Sequence, residues 1–244
     1  MINTTFKSKA KAALVVSSAV IGLASGANAQ TRSRVYGDQL TKQSQTFYIQ
    51  GDVQATTYES DAAGSKEANE TSTLTVGAWT GEGRVVGVEM ISSEAVTKFS
   101  LNSNTVRTSF RDIKLKTRLG WLIPSVGASL TELDIKTPET SEVGVYATGV
   151  NAGLKISVPI TLEMVVSAEG SVSRPTKTYD KLGQGDSLGD RADFDLGASY
   201  DLTETAVDLL VGYKVRSLKI KSSEQDFNEA TSGAYAGIRL GVYF

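Results

Sequence analysis

The side chains able to do chemistry are defined first by two absences. The 244-residue chain contains no histidine and no cysteine. That removes the usual general base, the commonest metal ligand and every Ser–His or Cys–His nucleophile. It also removes disulfides and thiolate chemistry. The remaining candidates are carboxylates and bases at alternate positions. Asp193 and Asp195 stand two residues apart, so a strand would place both on one face about 6.6 Å apart. Such a couple suits a general acid and base, or two acids held by Lys214 and Arg216 of the following strand. The Gly- and Asp-rich stretch 183–190 matches neither the EF-hand nor the calcium-binding nonapeptide spacing and reads as a loop. No catalytic, cofactor or metal set emerges.

Composition narrows the setting. Charged residues make up 21%, with 23 glycines and 4 prolines, the profile of a folded chain. Residues 1–29 read as a signal peptide. Lys7, Lys9 and Lys11 precede an apolar run from Ala12 to Leu23, and Ala27-Asn28-Ala29 is an A-x-A cleavage site. The run is too short to span a bilayer, which takes about 20 residues. Cleavage strips three lysines and no acid, leaving 22 basic against 27 acidic residues. That surplus argues against a nucleic-acid partner.

The elements that must position the charges are strands, because apolar residues recur at period two. Leu74, Val76 and Ala78 alternate with polar neighbours, as do Val86, Val88 and Met90, and Phe194, Leu196, Ala198 and Tyr200. Ten strands are expected, near 45–58, 71–80, 84–92, 106–119, 125–135, 143–157, 161–172, 191–202, 205–218 and 232–244, with eight or twelve as alternatives. In the fifth, Leu133 and Ile135 fall out of phase with Val126, Ala128 and Leu130, as a bulge would cause. Connections alternate between short turns and longer polar stretches at 59–70, 93–105, 173–190 and 219–231. That asymmetry suits a transmembrane β-barrel with short periplasmic turns and longer extracellular loops. A turn at Gly81-Glu82-Gly83 would set Ala78 opposite Val86. A turn at Thr203-Glu204 would set Phe194 opposite Tyr213 and Asp193 opposite Lys214.

Alternation alone fits a soluble barrel with apolar residues inside as well as a membrane barrel with polar residues inside. Three features favour the second. Phe47, Trp79, Trp121, Tyr200 and Phe244 sit near the short-turn ends, where an interfacial aromatic girdle belongs. The polar face is rich in glycine (Gly77, Gly87, Gly127, Gly149, Gly153, Gly197, Gly212, Gly237 and Gly241), which makes room for long side chains in a narrow barrel. The chain ends Ile238-Arg239-Leu240-Gly241-Val242-Tyr243-Phe244.

This ending resembles the C-terminal signature of Gram-negative outer-membrane β-barrels, with a terminal Phe244 and apolar Ile238, Leu240 and Val242. The resemblance covers about 44–244. It implies an all-β, antiparallel, up-and-down transmembrane β-barrel of about ten strands (44–244) behind a periplasmic leader (30–43), and a monomer. It further implies outer-membrane lipid and the barrel-assembly machinery as partners. The omptin proteases share the strand number but depend on a histidine that this chain lacks. In this reading the lumen holds Asp52, Glu89, Asp112, Glu163, Glu169, Asp193, Asp195 and Asp208 against Lys114, Lys116, Arg118, Lys155, Lys214, Arg216 and Arg239. Ten strands enclose roughly 20 Å between backbones, so balanced long charges should pair across the bore. The expected role is structural or surface-interacting, through the longer loops and a possible surface ligand. The alternatives are a narrow or gated porin-like channel for small solutes and a soluble exported lipocalin-like barrel.

Overall fold

A computed structural model describes residues 45–61, 66–80, 85–98, 105–136, 143–161, 163–180, 187–202, 206–221 and 226–243. The expected signal peptide, leader, both tight turns and Phe244 lie outside these residues. Ten antiparallel strands form: β1 (Gln45–Ser60), β2 (Lys66–Thr80), β3 (Val86–Lys98), β4 (Thr105–Thr117), β5 (Leu122–Lys136), β6 (Val143–Pro159), β7 (Met164–Asp180), β8 (Ser187–Asp201), β9 (Val207–Lys221) and β10 (Phe227–Tyr243). Each pairs with its sequence neighbours, and β1 closes on β10. Closure leaves no edge strand unpaired.

Along most of the barrel the alternation has the membrane sense. Phe47, Ile49, Val53 and Ala55 of β1 point outward, as do Leu122, Val126, Ala128 and Leu130 of β5 and Phe194, Leu196, Ala198 and Tyr200 of β8. Met90, Val126 and Val211 are each more than half exposed. A continuous apolar belt of this size is unfavourable against water and favourable against lipid. From Leu122 to Leu130 it stands roughly 20–23 Å tall at ~3.3 Å per residue and ~40° tilt, close to the ~25 Å apolar band of outer-membrane barrels. A soluble barrel with an apolar interior does not fit this belt.

Toward the end carrying the 61–65, 99–104, 137–142, 181–186 and 222–226 connections, here the distal end, the faces exchange character. Outward positions become Glu59, Glu94, Arg107, Arg111, Glu132, Arg174 and Lys219. Inward positions become Val106, Leu133, Val145, Ala147, Leu188, Leu218 and Ile220, a buried apolar cluster flanked by Ile135. Leu133 and Ile135 therefore mark no bulge. The pairing of β5 with β4 and β6 runs without a register shift past both residues, and the environment changes instead. The barrel passes from lipid to water, and the apolar side chains move from wall to core. Register shifts occur elsewhere, at Thr148/Gly149 where β6 meets β7 and between Leu188 and Arg191 where β8 meets β9.

The same exchange corrects the long loops. Parts of 59–70, 93–105, 173–190 and 219–231 belong to strands, which alternation in the lipid sense could not reveal above the belt. Two registers also differ by two residues from expectation. Ala78 faces Val88 and not Val86. Phe194 faces Val215, and Asp193 faces Arg216 and not Lys214. Each hairpin connection is longer than the tight turn assumed for it.

Candidate functional site: the charged lumen

At the proximal end, where β1 begins and β10 ends, the lumen is lined by rings and long bases. The Tyr48 hydroxyl donates to Glu89 at 2.5 Å, and Lys116 pairs with the same carboxylate. Arg239 donates two hydrogen bonds to Gln50 Oε1, at 3.2 and 2.9 Å, and lies 3.6 Å from Asp208. Trp79 belongs here too, which removes it from the expected outward girdle. It shares the inward phase of Gly77 and packs over Gly87, with the Arg118 guanidinium 5.1 Å from its ring centroid. Phe47, Trp121 and Tyr200 do remain on the exposed outside.

At mid-height Lys114 of β4 reaches Glu169 of β7 at 2.9 Å, with Lys155 3.9 Å from that carboxylate. Lys214 pairs with Asp52 at 2.7 Å and lies 4.3 Å from the Tyr235 ring centroid, while the Tyr235 hydroxyl donates to Asp195 at 3.0 Å. Tyr235 fits because Gly197 lies beside its hydroxyl and Gly212 beside its ring. A Cβ at Gly212 would stand 2.6 Å from the ring carbons.

The next layer reaches across the bore. Arg191 of β8 crosses to Asp112 of β4 and donates through Nε to Asp193 at 2.9 Å. Arg216 reaches Asp193 at 2.5 Å and donates to Ser93 at 3.2 Å. Both guanidiniums lie against Phe110, at 4.8 and 4.0 Å from its centroid. Two arginines and two aspartates thus neutralise one another around an aromatic ring, the planar pairing and stacking that guanidinium favours over ammonium. Arg191 retains only 1% exposure. Directly above lies the apolar cluster.

The arrangement draws together Asp52, Glu89, Asp112, Lys114, Lys116, Lys155, Glu169, Asp193, Asp195, Asp208, Lys214, Arg216 and Arg239. Arg118 sits just past the end of β4. Glu163 stands outside the strands. It lies in the connection before β7, with its main-chain N–H donating to Thr161 Oγ1 at 3.3 Å. Sequence reasoning missed Arg191, although its place two residues before Asp193 gives it the same phase. It also missed Tyr48, Phe110 and Tyr235 as lumen residues. Asp193 and Asp195 are each engaged, the first by two arginines and the second by Tyr235. Of the expected assembly residues Ile238 and Leu240 face outward in β10.

No family model matches the sequence, and no curated protein matches it. Several solved structures share the architecture. The transport unit of the autotransporter AIDA-I from Escherichia coli is 9% identical, with 86% of this chain and 93% of that one covered and a TM-score of 0.46. Neisserial surface protein A is 14% identical, over 80% and 96%, with a TM-score of 0.42. The outer membrane protease OmpT from Escherichia coli is 11% identical, over 84% and 98%, also at 0.42. Likeness at this level concerns the barrel alone, and no role is taken from it. The closed ten-strand barrel, with its apolar exterior belt and its polar bore, has the architecture of a transmembrane β-barrel.

Proposed function

We propose that this barrel is a non-conducting, non-catalytic protein of the outer membrane that acts structurally or through surface contacts at its distal rim. The carrying observation is the pair of obstructions stacked in the bore: the Arg191–Asp112–Asp193–Arg216 quartet and the apolar cluster above it. An ion crossing them would have to separate matched charges and then pass an apolar layer, and both steps cost free energy. The absence of histidine and cysteine, and the engagement of the paired aspartates by arginines and tyrosine, support the non-catalytic part. A closed barrel without a free sheet edge suits a monomer in lipid, inserted by the barrel-assembly machinery with the distal end outward. Planar-bilayer recording on refolded protein tests the reading. No steady conductance is expected. A large, steady conductance would overturn it in favour of a narrow channel.

A further inference from the structure

The proximal half of the bore is wetter than the distal half. An inward side chain meets solvent through the lumen, and Lys155 and Glu169 keep 25% and 19% side-chain exposure there. The apolar cluster above the quartet keeps 3–6%. Charge is unevenly spread around this wet part. On the β4–β6 wall, Lys114, Lys116, Arg118 and Lys155 share the inward phase with Ile123, Ser125 and Gly153, and no acid stands among them. Two carboxylates reach this wall from the flanking strands. Glu89 of β3 is taken by Tyr48 and Lys116, and Glu169 of β7 by Lys114 at 2.9 Å, with Lys155 farther off at 3.9 Å. Arg118 has no carboxylate within ion-pair distance among the described residues. Its guanidinium lies over Trp79, and its Nε is buried without a hydrogen-bond partner. Asp201 and Asp208 face one another on the far side, across β8 and β9.

We propose that the β4–β6 wall of the proximal lumen is a binding site for a small oxyanion of the phosphate class, held by Arg118 and Lys155 with Lys116 behind them. Four bases against two acids leave this wall with surplus positive charge, and a narrow bore of lowered dielectric strengthens its attraction for an anion. Guanidinium offers planar paired donors that match phosphate oxygens, and the lysine ammonium adds a compact point charge. Chloride has neither the double charge nor the oxygen geometry. The wall lies on the proximal side of the arginine–aspartate quartet, so occupancy is independent of whether the bore conducts.

Calorimetric titration of the refolded barrel with sodium phosphate at constant ionic strength tests this, with sodium chloride as the control. Phosphate should bind saturably and chloride should not displace it. Arg118→Met and Lys155→Met should each weaken binding at least fivefold, whereas Arg174→Met, on the outer collar, should leave it unchanged. The chain has two tryptophans, so Trp121→Phe leaves Trp79 as a reporter beside Arg118, and its emission should shift with the same saturation. Glycerol phosphate binding as tightly assigns the site to phosphate monoesters, and binding of inorganic phosphate alone assigns it to the free anion. Circular dichroism and heat-dependent gel migration verify that each variant is a folded barrel. No saturable binding to the native protein overturns the proposal, as does unchanged affinity in Arg118→Met or Lys155→Met, or an equal loss in Arg174→Met. Conductance in the same preparation separates this outcome from the fate of the non-conducting reading.

Discussion

Arg191 concentrates the energetics of the bore in one side chain. It is almost fully buried and bonded to Asp112 and Asp193 from opposite walls. Replacing it with methionine leaves two carboxylates short of a partner, so Arg191→Met should cost about 3–5 kcal/mol, the range for breaking a buried ion pair. Adding Asp112→Asn should recover part of that loss, the coupling expected of groups in contact. Urea unfolding in lipid vesicles checks both, and purely additive effects would mean that the two residues do not meet. Gly212 offers a steric counterpart. Gly212→Val should destabilise the barrel by about 1–3 kcal/mol through overpacking against the Leu196 carbonyl and the Tyr235 ring, with Tyr235→Ala in the same chain relieving only the share due to the ring. These partnerships were only half legible in the sequence. Phase assigned most charged residues to the interior, because alternation in a strand is strict. Pairing depended on register, and a two-residue error in the β8–β9 hairpin exchanged Lys214 for Arg216 opposite Asp193.

At the scale of the strand, the informative feature is where alternation changes meaning. In β5, Leu130 and Val126 face outward while Leu133 faces inward, with no irregularity between them. A single alternating pattern could not place Leu133, since the solvent outside the wall differs above and below that point. The same change hid the distal parts of β2, β3, β7 and β9, whose outward residues are polar and so resemble loops. It also fixes contrasting substitution effects. Leu196→Arg, in the belt, should cost on the order of 2–4 kcal/mol, as for a charge on the lipid face near the midplane. Ser109→Arg, outward on β4 above the belt between Glu94 and Glu132, should change stability by less than about 0.5 kcal/mol. Leu133→Ala, inside the distal cluster, should cost about 2–5 kcal/mol. Equilibrium unfolding of the three variants in one lipid system tests the set, and a tolerated Leu196→Arg would place the belt elsewhere.

At the scale of the molecule, the fold class was the most legible property, since ten alternating segments and an apolar ending imply closure without any single contact being known. The task was least legible, because the pairing of charges in the bore depends on register and nothing in their spacing announced it. Assembly carries its own expectation. Deleting Phe244 should lower the amount of folded protein in the outer membrane severalfold, measured by heat-dependent migration of membrane fractions. Unchanged levels would remove the terminal residue from the assembly signal.

The strands of this barrel are taller than its belt. β6 and β7 each run 17 residues, roughly 43 Å at ~3.3 Å rise and ~40° tilt, against an apolar band of about 25 Å. The surplus is a stiff collar, packed inside by its own apolar core and laced outside by exposed pairs such as Arg107–Glu94 and Arg174–Asp190. A collar of this height carries the distal strand ends clear of the lipid headgroups on a hydrogen-bonded pedestal. Insertions or epitopes grafted at 99–104 or 181–186 would then stand at a fixed distance from the bilayer, displayed by the sheet below them and not by the length of the loop.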